Sequence, residues 1–96
     1  MTDRPLDPRE HPFRADVAAS YLKGQVEAAR FDDGTLFKVD AGVLAMHADA
    51  DASTGRISEL LFGERFMVYE TQGDWVWGQS QVDGYVGFAR ADGMAP

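Results

Sequence analysis

The chain contains no cysteine. That excludes a disulfide frame, a thiolate nucleophile and a thiolate metal site. Basic residues are few: 9 Lys and Arg stand against 16 Asp and Glu, for a net charge of −7 at pH 7. Such a field repels a phosphate backbone, so nucleic acid is not an expected partner. No apolar run approaches membrane-spanning length, and Met1-Thr2-Asp3-Arg4-Pro5 lacks the basic-then-apolar start of a secretion signal. The expectation is a cytoplasmic protein with no membrane partner. Nor does a catalytic set assemble. Histidine occurs only as His11 and His47, and Ser80 in Gly78-Gln79-Ser80-Gln81-Val82 lacks the second glycine of a nucleophile elbow. Asp49, Asp51 and Ser53 alternate as calcium ligands would. The register fails, because Thr54 stands where an EF-hand loop needs Gly and Leu60 where it needs Glu. No catalysis, metal or cofactor is expected.

What is present suits one small, turn-rich β domain. Hydrophobic residues make up 45% of the chain, with ten Gly, six Phe, three Tyr and two Trp. The organising stretch is Leu60 to Ala89. Three short apolar runs, Phe66–Tyr69, Trp75–Trp77 and Tyr85–Phe88, are cut by Gln72-Gly73-Asp74 and Asp83-Gly84. This reads as a three-stranded meander. Strand parity puts Phe66 and Val68 on one face and Met67 and Tyr69 on the other. It puts Trp75 and Trp77 together, opposite Val76 and Gly78. One face of the sheet should be a barrel core, and the other a surface that meets something.

The remaining chain reads in order. Residues 1–13 hold Pro5, Pro8 and Pro12 among charges and form an extended arm, either a disordered terminus or an arm laid along another domain. The domain itself is expected over 14–96. It should begin with a short helix within 14–24, because Asp16 can cap Val17-Ala18-Ala19-Ser20-Tyr21-Leu22-Lys23 and Gly24 can end it. Gln25–Phe31 and Thr35–Ala41 flank Asp33-Gly34 and predict an added hairpin. Val43–His47 is a further strand, followed by a polar loop over 48–55.

Gly63-Glu64-Arg65-Phe66-Met67-Val68-Tyr69-Glu70, Gly73-Asp74-Trp75-Val76-Trp77-Gly78 and Asp83-Gly84-Tyr85-Val86-Gly87-Phe88 resemble an SH3-like barrel of the bacterial type, with Val43–His47 in the place of its first strand. The fold class expected is thus mainly β, an SH3-like small barrel with a short N-terminal helix and an added hairpin. Leu6-Asp7-Pro8-Arg9, Tyr21-Leu22-Lys23-Gly24, Leu61-Phe62-Gly63-Glu64 and Asp83-Gly84-Tyr85-Val86-Gly87 together resemble the N-terminal end of NlpC-type cell-wall peptidases, similar to γ-D-glutamyl-L-diamino-acid endopeptidases. The resemblance implies a non-catalytic accessory domain. Its partner would be a downstream Cys/His catalytic domain of the same chain. It would wall off a cleft for short cell-wall peptides with a free amine, in the recycling of imported peptides. Eukaryotic SH3 relatives bind polyproline in an aromatic groove. Trp75 matches their groove Trp, but Ala45-Met46-His47 replaces the groove tyrosine and Ala89-Arg90 the apolar-proline step.

The ligand- or domain-contact candidates are Trp75, Trp77, Tyr69 and Tyr85. Both tryptophans either form a contact patch or close the core. The alternative to an accessory domain is a free-standing peptide- or protein-binding module.

Overall fold

The computed structural model describes residues 6–51 and 53–96. Its strands are β1 (Val17–Ala19), β2 (Arg30–Asp32), β3 (Thr35–Val39), β4 (Val43–His47), β5 (Arg56–Leu61), β6 (Arg65–Gln72), β7 (Trp75–Ser80), β8 (Val86–Arg90) and β9 (Met94–Ala95). Single 3-10 turns lie at Ser20–Leu22 and Ala91–Gly93. Strands β3 to β9 make a seven-stranded sheet in the order β5-β4-β8-β7-β6-β3-β9, and its pairings are antiparallel. All seven contribute to one apolar interior: Val39, Leu44, Met46, Leu60, Phe66 and Val68, with Val76, Ala89 and Met94. A sheet whose every strand reaches the same core is curled on itself. The chain is mainly β, an SH3-like small barrel.

The meander is β6, β7 and β8, and its turns sit at the glycines read from the sequence. Parity also holds. Phe66, Val68 and Val76 face the interior, while Tyr69, Trp75 and Trp77 lie in a second cluster on the outer face. Gly78 sits at the tightest point of the interior. A Cβ there would overlap the Met67 carbonyl oxygen of the adjacent strand, so no other residue fits without opening the β6–β7 ladder.

Three expectations about the N-terminal third are corrected. The helix read over Asp16–Lys23 shrinks to the 3-10 turn Ser20–Leu22, preceded by the strand β1. Val17, Ala18 and Ala19 are all fully buried, and three consecutive buried residues do not fit one stripe of a two-turn helix. Asp16 caps nothing; its carboxylate holds Arg14. The hairpin around Asp33-Gly34 keeps its turn but not its pairing. Gly34 has φ +85°, and its N–H donates to Asp32 Oδ1 at 2.8 Å. The strand before the turn runs parallel to β1, whereas β3 pairs with both β6 and β9. Thr35–Val39 is therefore a barrel strand that precedes Val43–His47. The reason is local: a Cβ at Gly34 would strike Met67 Sδ and Tyr69 Cε1, so the turn is pressed onto β6 and launches β3 along that strand.

The arm expected over 1–13 lies partly outside the described residues, at 1–5. From Leu6 onward it is laid on its own barrel. The Arg9 carbonyl accepts from the Val86 N–H at 2.8 Å, Pro12 is fully buried, and the Pro12 carbonyl accepts from the Ala19 N–H at 2.9 Å.

Candidate functional site: the aromatic face and its cleft

The outer face of the meander is built by register. Trp77 lies opposite Phe88 on one side and Glu70 on the other; Trp75 lies opposite Arg90 and Gln72. Simple alternation would send Glu70 into the barrel with Phe66 and Val68. A bulge between Val68 and Glu70 inserts Tyr69 as an extra residue, so Tyr69 and Glu70 both reach the outer face.

The N-terminal segment covers this face. Val17, Ala19 and Leu22 join Tyr69, Trp75, Trp77, Val86 and Phe88 in one buried cluster, flanked by Leu6, Phe13 and Val26. Trp77 is 3% exposed, Tyr69 6% and Trp75 9%. Of the four contact candidates only Tyr85, at 45%, stands open to solvent. The two tryptophans do share the face opposite Val76, as parity requires. What they meet first is their own chain.

Arg14 is the centre of this arrangement. Its guanidinium lies 4.6 Å from the Trp77 ring centroid and 5.6 Å from that of Phe88. Its Nε donates to Asp16 Oδ1 at 2.9 Å, and its Nη2 donates to Asp16 Oδ2 at 2.7 Å and to Glu70 Oε1. A cation on an aromatic face, fixed by two carboxylates, satisfies charge where water is partly excluded. The Asp16 hydrogen bonds raise the guanidinium pKa further above its ordinary value and lower that of the Asp16 carboxyl. Burial pushes the Tyr69 phenol up to about 12. At the far end of the face the His47 ring meets Trp75 edge-on, 5.5 Å between centroids, and Arg90 lies 5.4 Å from the Trp75 centroid. His47 thus stands against Trp75, within the Ala45-Met46-His47 run that replaces the groove tyrosine of eukaryotic relatives.

Gln79 continues the row of Trp75 and Trp77. Its Nε2 donates to the Glu10 carbonyl at 2.8 Å and to the Gly84 carbonyl at 2.9 Å, tying the arm to the β7–β8 turn. Its parity with the tryptophans was a signal available in the sequence. Arg14 carried none, because nothing local marks an arginine that will cross to a strand far along the chain.

A cleft of about 750 Å³ remains between the arm, the polar loop after β4 and strand β8. Phe13, Arg14, Asp49, Ile57, Tyr85 and Phe88 are among the residues that line it. Its size falls within the range of small-molecule and peptide sites. Among the described residues no group of three or more His, Asp or Glu side chains is placed to hold a metal ion.

The segment from Met46 to Gly93, half of the chain, matches the family model of the bacterial dipeptidyl-peptidase SH3 domain. The chain belongs to this family. Comparison with curated proteins and with solved structures finds no match. The matched part of this bacterial SH3 domain starts within β4 and ends just before β9. It contains the meander and both tryptophans. It does not contain the segment that covers them.

Proposed function

We propose that this SH3 domain is the accessory, non-catalytic part of a cytoplasmic NlpC-type endopeptidase acting on peptidoglycan peptides. In this reading the barrel packs on a Cys/His catalytic domain of the same polypeptide and forms one wall of its substrate cleft. The observation that carries the proposal is the match of residues 46–93 to an SH3 family named for bacterial dipeptidyl peptidases. Two features support it. The chain has no cysteine with which to perform the reaction itself. Exposed apolar side chains, Val43, Leu61 and Phe62 at the β4–β5 hairpin and Tyr85 beside the cleft, offer surface for an adjoining domain. The second reading, a free-standing peptide-binding module, draws on the open cleft beside Tyr85.

The test uses the natural reading frame that encodes this segment. It should specify a Cys/His domain, and the whole protein should cleave L-Ala-γ-D-Glu-diaminopimelate peptides with a free amine in preference to N-acetylated ones. The 96-residue chain alone should cleave neither. A frame with no such domain, or turnover by the barrel alone, defeats the proposal.

A further inference from the structure

The large cleft does not end at Tyr85. A second cleft of about 490 Å³ adjoins it, and Arg9 and Tyr85 line both. Together they form one groove along the arm. Asp49 lines the first part, and Glu10 and Asp83 line the second. None of these three carboxylates has a cation within ion-pair distance among the described residues. The two arginines of the groove are already committed. Arg9 binds Asp7 through Nε at 3.1 Å and Nη2 at 3.0 Å, and Arg14 binds Asp16 and Glu70. The groove therefore keeps a surplus of negative charge after its internal pairs are counted. Solvent-facing apolar side chains line the groove beside these carboxylates: Ile57, 42% exposed, in the part with Asp49, and Tyr85, 45% exposed, where the two parts meet.

We infer that this groove binds an extended basic polypeptide segment of a partner protein or domain, with a Lys or Arg on each side of an apolar side chain. Alternate side chains of an extended segment repeat at roughly 6–7 Å. Such a segment places a cation near Asp49, an apolar group on Tyr85 and Ile57, and a second cation near Glu10 and Asp83. A compact inorganic cation would answer one carboxylate and leave the apolar rim wet. An acidic or phosphate-bearing partner would be repelled. Contact through exposed carboxylates makes the association weak and salt-sensitive. The inference stands apart from the peptidase reading, since it concerns side-chain cations and needs no free N-terminal amine.

The experiment is an NMR titration of the 96-residue chain with acetyl-Lys-Ala-Phe-Ala-Lys-amide and with its counterpart carrying Glu for both Lys. Both peptides are blocked at each end, so only side chains carry charge. The basic peptide should shift the resonances of Tyr85, Ile57 and Asp49 and leave those of the opposite sheet edge, at β9, in place. The acidic peptide should shift none. Asp49→Asn and Glu10→Gln should each weaken binding by roughly two- to fivefold. Both side chains are exposed, and an otherwise unchanged spectrum verifies the fold. No shift with the basic peptide, equal shifts with the acidic one, or unaltered affinity in both variants overturns the inference.

Discussion

The barrel interior and the outer face of the same meander are both apolar and both buried, but they are built differently. The interior is mostly aliphatic and drawn from all seven strands, and among the described residues no charged residue is fully buried. The outer face is aromatic, is closed by a segment from the far N-terminal end of the chain, and has a guanidinium seated on it. An aliphatic interior is held by volume and shape alone. The aromatic face needs partners as well, since a buried cation is tolerable only where carboxylates and π faces answer it. One sheet thus carries two kinds of core, one filled by its own strands and one completed by chain from outside the meander.

That contrast can be broken from either side. Phe66→Ala empties the interior and should have the largest effect, destabilising by about 3–5 kcal/mol in urea unfolding, with the whole spectrum lost together. Leu22→Ala acts on the outer face and should destabilise by about 2–3 kcal/mol. Hydrogen exchange then sharpens the comparison: amides of 6–32 should exchange faster while those of β6 and β7 stay protected, and uniform acceleration would show a single cooperative core. Arg14→Met keeps the packing on Trp77 but removes the cation seated there, leaving Glu70 paired with Arg30 alone at 3.5 Å. It should cost roughly 1–2 kcal/mol, between the values for exposed and buried pairs, and should change Trp fluorescence. Tyr69→Phe should have the smallest effect at neutral pH. With its folded pKa raised from 10.0 to about 12, the phenol stays protonated in the folded chain where the unfolded chain has already ionised. Stability present at neutral pH should therefore fall between about pH 10 and pH 12, and Tyr69→Phe should remove that fall.

The meander was legible because its evidence is local. Phe66, Val68 and Val76 alternate with their neighbours, and Gly73 and Gly84 mark the reversals. The choice between core and contact patch for Trp75 and Trp77 was not legible, because it depends on where residues some sixty positions earlier come to rest. Val17-Ala18-Ala19 looked helical by spacing. Val17 and Ala19 are buried against the aromatic face they cover, and Ala18 lies in the pairings with Phe13 and Phe31; no helical period encodes either. Asp33-Gly34 announced a turn correctly, and the error lay in supposing that a turn pairs the strands on either side of it. The cleft is half legible: Tyr85 stands out in the sequence as a contact residue, while Asp49 reads as one more polar residue of the loop over 48–55.

The bulge at Tyr69 makes β6 sensitive to register as well as to composition. Up to Val68 the strand keeps step with the barrel interior, and from Glu70 onward it keeps step with the outer face. Straighten the ladder there with every residue kept, and Tyr69 would take the place opposite Trp77 and Glu70 the place opposite Val76. The Glu70 carboxylate would then swing in among Phe66 and Val76, and Arg14 would lose one of its two anions. Excising Tyr69 instead would leave Glu70 opposite Trp77 and remove only the extra ring. Swapping the side chains of Thr71 or Gln72, both exposed, leaves the pairing untouched and should pass almost unnoticed. For this strand, arithmetic is a stricter constraint than chemistry.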